Sequence, residues 1–496
     1  MLKNLEKYLL EAAGKNKDEI RPENPYREIG FDGISQRLGW VKTVSFSRIK
    51  ESLANLSAIL EGKQNFIFVG MGGSINGIKP LFTIFNEIPA KLQQAKQKNC
   101  FFYALDNLDP DALEVVLKGI DDLNKTLVIS ISKSGTTKET QLLSSALKEA
   151  FINRLGQGSW QEHFLWLSDP CSFEKLDSLG WTETMKVPIQ FDSKADIGGR
   201  FSSPHTLIFF LPLFLLLNKN SAKLEEIYNY FVLIQKDVER KAYAACEKYA
   251  NKTNAYFSPL IPEELGESFS SWIVQLFQES LGSKDDSLAV KTITNRKNNK
   301  ELSSLRLDLE INDPAAALMA QMYFFQIFVA YYAAMKEVNF VTQNFVEKYK
   351  NQVRELENSP VKAKMPKIVD LTEAINEVKK NINPKQHFIE VVLYFYPQPE
   401  IIDRIKKEFS REFEQEILVF VGSDWNHQSY QAAFADKNTF YVLFVACEYK
   451  HSVAGLPASI LLENSNTLKT IAKATYLTLK DKSLFLSFSK ESYKKK

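Results

Sequence analysis

Short apolar runs closed by glycine or polar turns alternate with helix-compatible stretches through the first third of the chain. The runs are 66–69 (FIFV), ending at glycines; 101–105, closed by Asp106-Asn107; 126–132; and 164–167. Each is followed by a stretch of helical period, such as 138–154. Runs apolar throughout predict strands buried on both faces, and their alternation with helices predicts a parallel sheet with helices packed on it. From Ser202 to about Tyr349 helical periods dominate, at 222–250, 268–281 and 315–336, which predicts a second α/β unit with larger helices. Residues 359–366, rich in Lys and Pro, read as a linker. Strand-like runs return at 388–396, 417–421, 440–446 and 484–489, with a helix at 400–413 between the first two. The expected organisation is a helical arm (1–47), a first α/β unit (48–201), a helix-rich second one (202–360) and a small C-terminal α/β unit (361–496).

Composition narrows the function classes. A chain of 496 residues is too long for one core. Its net charge of +2 lacks the basic footprint of a dedicated nucleic-acid binder, and the lysines at 494–496 read as a solvated tail. Four scattered cysteines form no C-x-x-C pair, which argues for a reducing compartment and against a zinc site. The first twenty residues are charged throughout and read as an amphipathic helix, not a signal peptide. The longest apolar stretch, 207–217, holds a proline and is far short of the roughly 20 residues of a membrane span, so a buried core helix is expected. A cytoplasmic protein that binds neither membrane nor nucleic acid is the expectation.

Two strand-to-helix turns carry the first chemistry. Gly70-Met71-Gly72-Gly73-Ser74 follows FIFV directly; glycines let backbone approach a ligand, and a helix start offers unpaired N–H groups. Ser132-Lys133-Ser134-Gly135-Thr136-Thr137 concentrates four hydroxyls, one lysine and one glycine where a helix begins, a donor set suited to a phosphate monoester. Ordinary N-capping is the bland alternative for both turns. A dinucleotide fingerprint fails at its third glycine, where Ile75 stands, and a nucleotide P-loop fails where Ile78 replaces the lysine.

Charged residues stand in unusual company at two further places. Residues 196–203 (DIGGRFSS) form a glycine turn that delivers Arg200 ahead of an apolar helix. In 274–282 (VQLFQESLG), Glu279 lies near the end of an apolar helix and shares a face with Gln275, four residues earlier. Apolar surroundings suit a carboxylate that works as a base, because burial disfavours the charged form. From local sequence alone, the arginine could equally hold a loop and the glutamate could be solvated.

Together these stretches resemble the phosphoglucose isomerase family, built from paired sugar-isomerase (SIS) domains. GMGGS is similar to the family's first loop, SKSGTTKET to its phosphate loop, DIGGRFS to its arginine signature and QLFQESLG to its glutamate segment. Residues 343–350 (QNFVEKYK) resemble its closing signature D-Q-x-G-V-E-x-x-K. The five matches fall in family order over residues 45–360. The resemblance implies an α/β fold of two SIS-type parallel sheets flanked by helices in three layers, with a small C-terminal α/β unit in addition. It implies reversible isomerisation of glucose 6-phosphate and fructose 6-phosphate through a cis-enediol, in glycolysis and gluconeogenesis, by a homodimer without metal or other cofactor. Carried over residue by residue, Gly73, Ser74, Ser132, Ser134 and Thr137 would hold the sugar phosphate, with Lys133 nearby. Glu279 would be the base, Arg200 would stabilise the enediolate, and Gln275, Gln343 and Lys350 would line the site, Lys350 near the ring oxygen.

The match also fails in places. The family's ring-opening histidine falls between the glutamate segment and the closing signature, yet residues 280–342 contain none. His205 sits on an apolar helix, where packing is the expected role. Residues 422–431 (GSDWNHQSYQ) are similar, at Gly422, His427 and Gln431, to a G-P-R-x-L-H-S-T-G-Q segment of bacterial proteins that fuse transaldolase to this isomerase. In the closing signature Thr342 replaces the aspartate and Phe345 the glycine, a change that alters the turn or fills space. A non-catalytic sugar-phosphate-binding SIS protein is therefore the alternative. A nicotinamide-dependent dehydrogenase leaves SKSGTT unexplained, and the scattered histidines offer no cluster for a metal-dependent aldose isomerase.

Overall fold

The computed structural model describes residues 4–86, 94–250, 256–262, 265–282, 291–292, 305–358 and 366–489. Most of the expected linker (359–365) and the C-terminal lysines lie outside them. A short hairpin, β1 (Phe31–Asp32) and β2 (Ser35–Gln36), belongs to the N-terminal arm. The first large sheet follows: β3 (Asn65–Val69), β4 (Gln94–Gln97), β5 (Cys100–Leu105), β6 (Thr126–Ile131), β7 (Phe164–Ser168) and β8 (Met185–Pro188). Its order is β4-β5-β3-β6-β7-β8, parallel except for β4 at the edge, which pairs antiparallel with β5. Every residue of β3, β6 and β7 is buried, as the uninterrupted apolar runs require.

Alternate residues of β3 serve two cores, in keeping with the two-residue period of a strand. Phe66 and Phe68 point into one core with the large helices of the middle segment. Ile67 and Val69 point into another, which also contains the C-terminal strands.

The middle segment departs from expectation. Its helices appear, as Leu207–Leu216, Ser221–Ala250, Gly266–Leu281, Pro314–Lys336 and Val346–Asn358. Among the described residues, however, its only strands are the two-residue β9 (Tyr256–Phe257) and β10 (Lys291–Thr292), which pair in parallel with each other. The second sheet expected within 202–360 is instead built after residue 366. It comprises β11 (Ile368–Val369), β12 (Phe388–Tyr394), β13 (Glu416–Val421), β14 (Thr439–Ala446) and β15 (Ser483–Phe488), in the order β11-β15-β14-β12-β13 and wholly parallel. Among the described residues the large helices have no larger sheet of their own to cover. Their apolar faces close one side of the first sheet.

Pro314–Lys336 is long and apolar enough to cross a membrane, but 94% of its apolar window is buried inside the protein. Asp313 caps it by accepting from Ala315 and Ala316 N–H at 3.0 Å, and Pro314 occupies the first turn where no donor is needed. Leu207–Leu216 is likewise a core helix, buried except for Phe214.

The two sheets meet by their carboxyl ends. Tyr396 N–H, beyond β12, donates to Asp109 beyond β5 at 2.8 Å, and Gly72 N–H, beyond β3, donates to Asp424 beyond β13 at 2.8 Å. A buried ion pair anchors the second sheet to the middle segment: Lys291 on β10 donates to Glu390 on β12, with side chains 1% and 0% exposed. Trp425 Nε1–H donates to the other Glu390 oxygen at 3.1 Å. Glu390→Leu, which leaves Lys291 only the longer contact to Asp436 at 3.4 Å, is expected to lower the unfolding free energy by about 1–3 kcal/mol in urea titrations. Lys291→Met, which takes the ammonium from both Glu390 and Asp436, is expected to cost more than Glu390→Leu; the reverse order would contradict this account.

Candidate active site

The strand order reverses direction between β3 and β6: the chain runs from β3 to β5 on one side, then to β6, β7 and β8 on the other. In open parallel sheets such a switch opens a crevice at the carboxyl ends of the two strands. Both turns singled out in the sequence leave the sheet there. Gly70 lies against the Ile131 backbone at the end of β6, so the turns are side by side.

The glycine turn ends in a tight helical turn, Gly72–Ser74. Gly72 has φ of +54°, and a Cβ there would come within 2.8 Å of Gln275 Nε2 and 3.0 Å of His427 Cβ. A Cβ on Gly73 would collide with the Gly199 carbonyl of the arginine turn. The two turns pack backbone to backbone, which only glycine permits.

That contact seats Arg200 against Glu279. Arg200 is 3% exposed and Glu279 is 4% exposed. Arg200 Nη1 donates to Glu279 Oε1 at 2.9 Å, its Nε to Ser280 Oγ at 2.8 Å, and its Nη2 to the Phe340 carbonyl. Gln275 Nε2 donates to Glu279 Oε2 at 2.9 Å, and Gln343 Nε2 to Oε1. A buried ion pair needs such complete hydrogen bonding, because neither charge has water to turn to. The arginine turn is held from outside as well. Gly39 N–H donates to Asp196 O at 3.1 Å, Arg37 Nη1 to Ala195 O at 2.6 Å, and Trp40 stacks on Phe201 with ring centroids 4.9 Å apart. This use of the N-terminal arm left no trace in the motifs.

In the hydroxyl-rich turn, Ser132 Oγ donates to Thr137 Oγ1 at 3.1 Å and Ser134 Oγ pairs with Thr136 Oγ1 at 3.0 Å. Thr137 is the last residue before the helix Lys138–Leu155, and Ser134 is exposed. The hydroxyls thus cluster at a helix start, with Ser132 buried and Ser134 exposed. Lys133 turns elsewhere. Its Nζ donates to the carbonyls of Ala195 and Ile197 and lies 3.7 Å from Asp169. Burial pushes this ammonium down to about 8, and burial likewise pushes Asp169 up to about 6. Lys133 therefore braces the arginine turn.

Lys350 is not brought to Glu279 either: it pairs with Glu347 on its own helix at 3.1 Å and is 39% exposed. His205 is a core residue, with Nε2 at 2.8 Å from Gln326 Oε1 and burial pushing the imidazole down to about 4. Phe345 fills space, stacking on Phe434 with centroids 5.0 Å apart, while Gln431 Oε1 accepts from Phe345 and Val346 N–H at 3.0 and 3.2 Å.

The C-terminal unit supplies a histidine to the same crevice. His427, on the short helix Asp424–Gln428, places Nε2 3.0 Å from Glu139 Oε1, and its carbonyl accepts from Gln275 Nε2 at 3.3 Å. Burial opposes charging of the imidazole most strongly, but Glu139 and Asp424 together outweigh it, so the His427 pKa is raised. Burial likewise raises the Glu139 carboxyl, and the facing imidazole overcomes this and holds it below its usual value. Glu139 stood within SKSGTTKET without being singled out. Its signal was a carboxylate at the second position of the helix that follows the hydroxyl-rich turn.

Fold and site together define a two-sheet α/β protein with a buried arginine–glutamate pair beside a hydroxyl-lined turn at a switch point. The family model of phosphoglucose isomerase matches residues 57–218. A glucose-6-phosphate isomerase of Campylobacter jejuni is 31% identical over 245 residues, covering 48% of this chain and 55% of the relative. One of Thermus thermophilus is 27% identical over 258 residues, covering 50% and 56%. The chain thus spans about half the length of these curated relatives. The crystal structure of a glucose-6-phosphate isomerase from Chlamydia trachomatis shares the fold, with a TM-score of 0.50 at 16% identity over 76% of this chain and 86% of that one. The chain is thus similar to the phosphoglucose isomerase family over its first part and shares the fold of a solved glucose-6-phosphate isomerase, as a divergent relative.

Gly73→Ala drives the arginine turn off the glycine turn. It is expected to destabilise the protein by about 1–3 kcal/mol, the usual range for overpacking, while Gly158→Ala, at an open surface position, changes little. Paired melting curves check this, and equal melting points for the two variants would refute the close backbone contact.

Proposed function

We propose that this chain interconverts an aldose 6-phosphate and its ketose, with glucose 6-phosphate and fructose 6-phosphate as the first pair to test. The observation that carries this reading is the buried Glu279 carboxylate, bridged by Arg200, Gln275 and Gln343 beside a hydroxyl-lined helix start. A protein that only binds a sugar phosphate needs the hydroxyl turn but has no use for a base and a fixed cation.

In this reading Gly73, Ser74, Ser132, Ser134 and Thr137 hold the phosphate, so that the far end of the opened sugar lies at Glu279. Anchoring a non-reacting group in this way converts binding into positioning of the reacting carbons. Glu279 takes the proton from C2 of the aldose and returns it to C1. Arg200 faces the oxygen on which negative charge develops in the enediolate. The proton returns and no electrons leave, so these steps call on no redox cofactor. Lys133 acts by holding the arginine turn.

Ring opening falls to His427. Glu139 accepts from Nε2, which leaves Nδ1 of the imidazolium to protonate a ring oxygen. All of these groups come from one chain. The homodimer and the cytoplasmic setting belong to the proposal as implied by the family resemblance.

A coupled assay of fructose 6-phosphate conversion tests the reading. Glu279→Gln is expected to lower kcat by about 10²–10⁴-fold, the range of a lost general base. Retained binding of the sugar phosphate with no turnover in the parent chain would instead favour the non-catalytic binder. His427→Ala should slow turnover of cyclic hexose phosphates by about 10²-fold or more. It should spare solvent proton exchange at C2 of a four-carbon aldose 4-phosphate, which has no free hydroxyl placed to close a stable ring. Equal losses on both substrates would remove His427 from ring opening.

A further inference from the structure

A buried cluster of charges behind the glycine turn remains without a role in the proposed steps. Lys79 Nζ donates to Asp106 and lies 4.0 Å from Asp424 Oδ2, so one ammonium stands between two carboxylates. The same Nζ donates to Asn76 Oδ1 at 3.2 Å, and Asn76 Nδ2 donates to Gln275 Oε1 at 3.2 Å. Asp424 is 5% exposed and begins the helix that carries His427 three residues later. Its Oδ1 accepts from Gly72 N–H at 2.8 Å, and its Oδ2 accepts from Gln428 Nε2.

We infer that Asp424 is a positioning residue for the chemistry at His427: it latches the histidine helix onto the glycine turn and sets a carboxylate on the short helix that carries the imidazole. The inference rests on the reading of His427 given above. The latch joins the two units where their sheets meet. Gly72 N–H is a backbone donor at a turn that a side chain would close, since a Cβ on Gly72 would meet both Gln275 and His427. A docked acceptor at position 424 therefore determines how near the His427 backbone comes to Glu139.

The charge has a separate consequence. Facing His427 are Glu139 from the helix Lys138–Leu155, Asp424 from its own helix and Lys350 from Val346–Asn358. Glu279 stands beyond Gln275, and Lys79 stands beyond Asp424. Burial disfavours the imidazolium, as does Lys350; Glu139 first and Asp424 second favour it, and their sum keeps the imidazole above its ordinary value. A merely structural acceptor would supply the hydrogen bond without this charge.

Asp424→Asn removes the charge while the amide oxygen still accepts from Gly72 N–H, and Gln428→Ala controls for the bond to Oδ2 that the new amide N–H cannot accept. The His427 titration, followed by NMR in the full chain, is expected to move to lower pH. A proton donor with a lowered pKa loses its proton earlier, so the alkaline limb of kcat/KM for the hexose phosphate moves in the same direction. Asp424→Ala loses the latch as well and should cut kcat by about tenfold or more at every pH. Asp424→Ser, a second neutral acceptor, gives the same reading if the Asn variant does not fold. An unmoved His427 titration overturns the inference and leaves the isomerase reading intact. A moved titration with an unmoved pH limb overturns the role of His427 itself, and with it the part of Asp424 in catalysis.

Discussion

The buried pairing of Arg200 with Glu279 is the constraint around which the rest of this protein is arranged. Two charges taken out of water are tolerated only when each is met by further donors or acceptors. Here the arginine spends its fork on Glu279, Ser280 and the Phe340 carbonyl, and the glutamate accepts from Gln275 and Gln343 besides. Those partners lie on the arginine turn, on the helix Gly266–Leu281 and in the stretch before Val346–Asn358. Satisfying one pair therefore fixes three segments far apart in sequence. The outer braces follow the same logic. Arg37, Gly39, Trp40 and Lys133 all grip the turn between Ala195 and Phe201, where a small displacement would leave a charge unpaired.

Backbone contact makes this geometry attainable. The glycine turn touches the arginine turn at Gly73 and the histidine helix at Gly72, in both cases where a side chain would intrude. Three loops from two sheets can converge only if the one between them is thin. The carboxyl ends of both sheets thus share a single crevice, and the second sheet becomes part of the site.

Much of this was legible in the sequence, for identifiable reasons. Strands such as 66–69 and 126–131 are apolar throughout because both faces are buried, and their boundaries are set by the glycine and hydroxyl turns that follow. Arg200, Glu279, Gln275 and Gln343 were nameable because each stands in a short stretch resembling a family motif, and the structure brings these four together. Contacts made across long separations were not legible. Nothing near Lys133 says that its ammonium bends back to the carbonyls of Ala195 and Ile197, and nothing near Trp40 says that it stacks on Phe201. The second sheet was misplaced because long apolar helices from 207 to 336 read as the cover of a sheet nearby in sequence, when they cover the first one. Glu139 was overlooked because its partner lies 288 residues away.

Two differences from the phosphoglucose isomerase motifs meet in one packing arrangement. The stretch that would carry the ring-opening histidine has none, and the closing signature has Phe345 where a glycine is expected. In the folded chain both positions answer to the C-terminal unit. Phe345 stacks on Phe434, and Gln431 accepts from the first N–H groups of the helix Val346–Asn358, so a bulky residue there is what docks that unit. The docked unit carries His427 to Glu139, a carboxylate on the helix that the hydroxyl turn begins. An imidazole needs a carboxylate to fix its tautomer and proximity to the substrate, and neither requirement specifies which segment supplies it. A glycine at 345 would remove the stack and leave the histidine helix more loosely held. In the proposed function the two features are linked in this way: the unit beyond residue 366 carries His427 and is docked in part by Phe345.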